Sequence, residues 1–336
     1  MNVKPAQTQK IAADAEVVVA SLLRENPGVI AAYSDGSFAR GDMVRGSDVD
    51  IGLIVADPPA GYKIRRRIID GVLFEWGFFD KKHYEDVASI LGGAGFVHDL
   101  VSAKIWYDPR GFLTGVQSKL RQGYSNPFFI KRRAANQLKI VEGNFEEFKN
   151  AREEDGRHAF LVKLFVIIRH LFAIPSAALN RPVTNSRGYL FCKKDSQNLA
   201  FYDYPDAVID VLGSRDFAKG RVRNLLSSAY ESFDASGLPP YDARTYKAHL
   251  EIVDYMIELG EAAAAAWPLF FWTVGSLNEV RREGLADAAR IMEESFSPIW
   301  AELKLFKWED IKARALPIER AVGLARGIVA ARPDGM

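Results

Sequence analysis

A change of hydrophobic period near residues 123–127 restricts the fold more than any other feature of this chain. Before it, short apolar runs of strand length alternate with turn residues. After it, apolar residues recur every three or four positions over long segments, the spacing of an amphipathic helix. In the first part, 5–25 reads as a helix, and Pro27-Gly28 ends it. Residues 29–33 and 48–55 read as strands flanking a Gly/Ser/Asp-rich turn over 34–47. Residues 62–69 and 72–79 read as the arms of a hairpin around Asp70-Gly71, a dipeptide that accepts the positive φ angles of a tight hairpin turn. A helix over 81–91 and a strand over 102–107 follow, closed by the Asp108-Pro109-Arg110-Gly111 turn.

Beyond that point the period predicts helices over 128–150, 157–174, 205–212, 217–233, 243–266, 278–294, 298–306 and 317–331. The fold class is therefore α+β: a mixed β-sheet with helices on one side (1–124), then an all-α domain (125–336). The length of 336 residues agrees with two domains.

Composition excludes several classes. Lys plus Arg number 44 and Asp plus Glu 43, and the charges balance within 1–125 as well. No basic surplus marks a duplex nucleic-acid binder, so strong nucleic-acid binding is not expected. The single cysteine, Cys192, excludes an internal disulfide and a thiolate zinc cluster, and a cytoplasmic location is expected. The longest charge-free run, 262–278, falls short of a membrane span and contains Pro268 and Gly275. It reads as a core helix and its exit, so no membrane partner is expected.

The chemistry concentrates in the stretch 36–51, GSFARGDMVRGSDVDI. Asp48 and Asp50 lie two apart on a predicted strand, so their carboxylates share a face while Val49 and Ile51 take the other. Two adjacent carboxylates repel unless a cation lies between them, and hard oxygen ligands suit Mg²⁺ with substrate phosphates. Upstream, Gly36-Ser37 forms a turn where backbone N–H groups and a hydroxyl can approach a phosphate. Together these are the equipment of nucleotidyl transfer, in which positioning and charge neutralisation dominate.

This stretch resembles the nucleotidyltransferase superfamily typified by DNA polymerase β and kanamycin nucleotidyltransferase, most of all its minimal branch. Gly36-Ser37, a ten-residue spacer (38–47), and Asp48-Val49-Asp50 carry the resemblance. It covers about residues 25–115. It implies a nucleotidyltransferase-type sheet, a third carboxylate that Glu75 in Phe74-Glu75-Trp76 matches, and two Mg²⁺ ions with ATP or another NTP as substrate. Asp80 is the substitute third acid. Asp48, Asp50 and Glu75 would hold metal, with Glu75 alternatively taking the acceptor's proton; Gly36, Ser37, Arg40 and Ser47 would bind nucleotide. Arg40 reads equally well as a salt bridge to Asp42 or Asp48.

The resemblance implies transfer of a nucleoside monophosphate, AMP from ATP, to an acceptor hydroxyl with release of pyrophosphate. The acceptor would be a small molecule such as an aminoglycoside-like antibiotic, bound by the helical domain. A protein acceptor, as in toxin-neutralising AMP transfer, and a non-catalytic nucleotide-binding module are the alternatives. The runs Arg65-Arg66-Arg67, Lys131-Arg132-Arg133 and Arg281-Arg282 read as solvated faces, Arg66 opposite in direction to its neighbours. His170 and Lys163 read as satisfied groups at the core edge, with Lys163 alternatively reaching a nucleotide. Trp267, Phe270, Phe271, Trp272 and Tyr255 read equally as pocket lining and as core.

Overall fold

The computed structural model describes residues 5–59, 64–95, 97–185, 187–236 and 243–331. The chain divides into two compact units, Met1–Phe129 and Ile130–Met336.

The first unit begins with α1 (Pro5–Glu25) and β1 (Val29–Ser34). Next come a short helix α2 (Gly36–Arg40), β2 (Val49–Val55), β3 (Arg65–Ile69) and β4 (Val72–Asp80). After a 3₁₀ turn at Lys81–Tyr84 the chain forms α3 (Val87–Gly92), α4 (Val97–Ser102), β5 (Lys104–Tyr107) and α5 (Phe112–Gly123). Helix α6 (Pro127–Asn150) then runs on into the second unit. The five strands lie in the order β3-β4-β2-β1-β5. All neighbours are antiparallel except β2 and β4, which run parallel. The sheet is therefore mixed, as expected.

Alternation along the strands gives the sheet two apolar faces. Val49, Ile51 and Leu53 of β2 pack with Phe74 and Phe78 of β4 against Ile11, Ala15, Val18, Val19 and Leu22, the helical stripe of α1. Ala31, Tyr33 and Ile54 face the other way, onto α3, α4 and α5 through Ile90, Leu100, Leu113 and Leu120. Helices thus cover both faces, not one. The difference arises from α4 and α5, which the sequence reading did not include. Helix α5 starts at Gly111 (φ 66°), and Asp108 accepts a 2.8 Å hydrogen bond from the Thr114 amide.

The β3–β4 turn is as expected, with Asp70 at φ 49° and Gly71 at φ 81°. Tyr62 and Lys63 of the expected first arm lie outside the described residues. The helix expected over 81–91 is two pieces because two acids each cap a start: Asp80 accepts from the Lys82 amide and Asp86 from the Ser89 amide.

The second unit is helical: α7 (Arg157–Ala178), α8 (Gly188–Asn198), α9 (Tyr204–Leu212), α10 (Lys219–Ser236), α11 (Ala243–Glu258), α12 (Ala262–Arg282), α13 (Ala286–Glu302), α14 (Trp308–Lys312) and α15 (Ala315–Ala330). Helix α7 is long and apolar enough to cross a membrane by length and composition. Here its side chains from Phe160 to Ala178 are mostly buried, and it packs against α8, α9, α12 and α15. The helix breaks differ from those expected. Pro268 and Gly275 lie inside α12, and Pro298 inside α13. The chain turns instead at Gly260 (φ 84°) and Gly284 (φ 74°), where the left-handed conformation ends a helix.

Candidate metal and nucleotide site

The acidic site is built by strand register. In the parallel β2–β4 pair Asp50 stands beside Glu75, and parallel neighbours are about 4.8 Å apart. Asp48, two residues upstream on the same face, completes the group. One oxygen from each of Asp48, Asp50 and Glu75 lies within 4.8 Å of the others. This spacing lets a single cation be shared, and carboxylate oxygens are the hard donors that suit a divalent ion.

Gly36 belongs to the same place. The Asp35 amide donates to the Asp50 carbonyl at 3.2 Å, extending the β1–β2 ladder past Ser34 and setting Gly36 against Asp50. Gly36 has φ +65°, and a Cβ there would stand 2.9 Å from Asp50 Oδ2. Any side chain at 36 would crowd that oxygen. The turn expected over 34–47 holds helix α2, capped by Gly41 at φ 74°. Ser37 lies in its first turn, and its carbonyl accepts from the Asp42 amide at 3.0 Å.

The remaining expected residues take structural partners. Arg40 forms ion pairs with Asp42 at 3.3 Å and Asp99 at 3.8 Å, and its side chain is 11% exposed. Ser47 turns its hydroxyl back to accept from the Val44 amide at 3.0 Å. Asp80 sits at the far end of β4, opposite Val55, and caps the 3₁₀ turn; it is not part of the acidic group.

Charge crowding marks the site. Burial pushes the Asp50 carboxyl well above the usual range, and the charges of Asp48, Asp35, Glu75 and Asp99 push it further. Asp35 is raised likewise, by burial first and then by Asp99 and Asp48, with Arg40 opposing. Asp35 and Asp99 were not among the expected site residues; the acid directly before Gly36-Ser37 was the available signal.

Two of the arginine runs are not uniformly solvated. Arg65 and Arg67 are exposed, whereas Arg66 pairs with Glu75 and keeps 6% of its side chain exposed. Arg133 is 1% exposed and donates to Asn180. In both cases helix or strand alternation turns one residue of the run inward. Lys163 pairs with Glu147. Trp267, Phe270 and Phe271 are core: Trp267 packs on Phe172 and Phe271 with ring centroids 5.3 and 5.4 Å away.

Residues 17–89 match the family model of the nucleotidyltransferase domain. The matched segment contains Gly36, Ser37, Asp48, Asp50 and Glu75. No curated protein matches the chain. Among solved structures, the chain is similar to a nucleotidyltransferase-like protein from Exiguobacterium sibiricum 255-15. The two are 14% identical with a TM-score of 0.33, over 81% of this chain and 92% of that one.

Proposed function

We propose that this protein is a Mg²⁺-dependent nucleotidyltransferase that moves AMP from ATP to the hydroxyl of a small-molecule acceptor. The observation that carries the reading is the convergence of Asp48, Asp50 and Glu75 within 4.8 Å, in a domain that matches the nucleotidyltransferase model. Three oxygen donors, with glycine at 36 placing no side chain against Asp50 Oδ2, fit a divalent cation.

Asp48 and Asp50 would hold the metal. Bound there, Mg²⁺ would neutralise the triphosphate and make the acceptor hydroxyl more acidic. Gly36 and Ser37 would bind the β and γ phosphates, with the absence of a side chain at 36 admitting them beside Asp50. The acceptor oxygen attacks the α-phosphorus, the bond from that phosphorus to the pyrophosphate oxygen breaks, and Glu75 takes the acceptor proton or completes the metal site. The helical unit is assigned to recognition of the acceptor, an aminoglycoside-like molecule, and the reaction to the cytoplasm.

The test is pyrophosphate release from ATP with Mg²⁺ and a panel of polyhydroxylated acceptors, beside Asp50→Asn. Acceptor-dependent release lost in the variant supports the reading. Magnesium-dependent ATP binding without turnover on any small molecule or protein would instead indicate a nucleotide-sensing module.

A further inference from the structure

The strand β3 carries three consecutive arginines, and the pleat separates them. Arg65 and Arg67 point to one side and are exposed. Arg66 points to the other, directly opposite Glu75 in the antiparallel β3–β4 register. Its Nε donates to Glu75 Oε1, and the two side chains are only 6% and 11% exposed. Strand β3 is the edge of the sheet, where a long cationic side chain ordinarily extends into water. Here the guanidinium is held on one of the three carboxylates that converge within 4.8 Å. Desolvating an arginine in this way is unfavourable unless its partner is fixed and charged.

We infer that Arg66 is the resident counter-charge of the acidic site, a positioning residue that weakens binding of the metal alone and couples metal binding to the arrival of the nucleotide. The inference rests on the metal-site reading above and deepens it. Without metal, Arg66 offsets one of three crowded negative charges and holds the Glu75 carboxylate in place. A divalent ion entering alone meets this positive charge a few ångströms away, so its affinity falls. A triphosphate brings about four negative charges with its own cation, and Arg66 then lies beside the added negative charge instead of opposing an unaccompanied cation.

A merely structural Arg66 predicts something different. If its role were only to hold Glu75, removing it would loosen a ligand and weaken metal binding. The two roles therefore differ in sign.

The experiment is titration of the full-length protein with Mn²⁺ followed by electron paramagnetic resonance, with and without a non-hydrolysable ATP analogue. The variants are Arg66→Gln, Arg66→Lys and, as the site control, Asp50→Asn. In Arg66→Gln the affinity for Mn²⁺ alone is expected to rise by roughly tenfold or more, the bare repulsion of close charges being larger and partly relieved by side-chain relaxation, and the affinity for the analogue to fall. The strengthening of Mn²⁺ binding by the analogue should shrink accordingly. Arg66→Lys keeps the charge and should retain parent-like Mn²⁺ affinity; it also serves if the glutamine variant does not fold. Unchanged or weaker Mn²⁺ binding in Arg66→Gln, with binding lost in Asp50→Asn, overturns the role of Arg66 and leaves the metal site standing. If Arg66→Gln does not fold, Mn²⁺ binding in Arg66→Lys that departs from the parent's by tenfold or more overturns it equally. Parent-like Mn²⁺ binding in Asp50→Asn overturns the metal site and the role of Arg66 with it.

Discussion

Replacing Asp50 by Asn should stabilise the metal-free protein while destroying its response to metal. The magnitude follows from geometry. Asp48 and Asp50 oxygens lie within 4.8 Å, and two unit charges at that separation repel by about 3.5 kcal/mol at an effective dielectric constant near 20. Arg66 on Glu75 and Arg40 near Asp35 offset part of the local charge, and side chains relax. A net gain of about 1–2 kcal/mol remains, a rise in melting temperature of roughly 3–6 °C.

The pH dependence has a definite sign. The folded-state pKa of Asp50 is raised, so the folded protein keeps its proton after the unfolded chain has lost it. Below the unfolded value, about 3.9, the group carries no penalty; stability is lost as pH rises from there through the raised folded value. Asparagine does not titrate, so its advantage should be smaller near pH 4.5 than near pH 7.5. The assay is a thermal melt of both proteins in EDTA at the two pH values, repeated with Mg²⁺ and an ATP analogue. At one hundred times Kd the ligands should stabilise the parent by about 2.7 kcal/mol, and the variant far less. An Asp50→Asn protein that melts several degrees lower in EDTA at both pH values, with its ligand response intact, would make Asp50 a structural residue.

Gly36→Ala forces a Cβ to 2.9 Å from Asp50 Oδ2 at φ +65°; stability should fall by about 1 kcal/mol and Mn²⁺ affinity with it, and parent-like affinity by titration would refute the close approach. Gly52→Ala would place a Cβ 2.3 Å from the Tyr33 ring, which is fully buried with its hydroxyl 2.9 Å from that of Tyr84; overpacking of about 1–3 kcal/mol should appear as a lower denaturant midpoint, and an unchanged midpoint counts against it. His170 is lowered to about 4 by burial and by Arg169. The stability it contributes is present above the unfolded value near 6.5 and is lost as pH falls toward 4; a ring titration midpoint above 6 by NMR would contradict this.

The legible parts of the fold share a cause: they depend on neighbours in sequence. Asp48 and Asp50 are readable as a pair because a strand has period two, and the β3–β4 turn because Asp70-Gly71 supplies two positive φ angles locally. The helix breaks near 260 and 284 were displaced in the reading because proline and glycine act as breakers only where the backbone needs them to. Pro268, Gly275 and Pro298 are carried inside packed helices, and burial of Trp267, Phe270, Leu277 and Trp300 outweighs their low propensity. Helix α2 was hidden because five residues hold no periodicity, and α5 because the turn read only as closing a strand is here also a helix start.

Glu75 and Arg66 mark where local reading stops. An acid between Phe74 and Trp76 states only that one strand face differs from the other. What makes it a candidate ligand is the parallel β2–β4 register, which aligns Asp50 with Glu75 across two strands separated by a third, β3, in sequence. A register slip of one residue would turn Glu75 to the α1 face and bring Phe74 or Trp76 to Asp50. The apolar side chains of β4 oppose that slip, since Phe74 and Phe78 are buried with α1. The same register carries Arg66 onto Glu75 through β3. Core packing on one face of the sheet thus sets the charge arrangement on the other, and the chemistry of the acidic site depends on apolar residues of the opposite face.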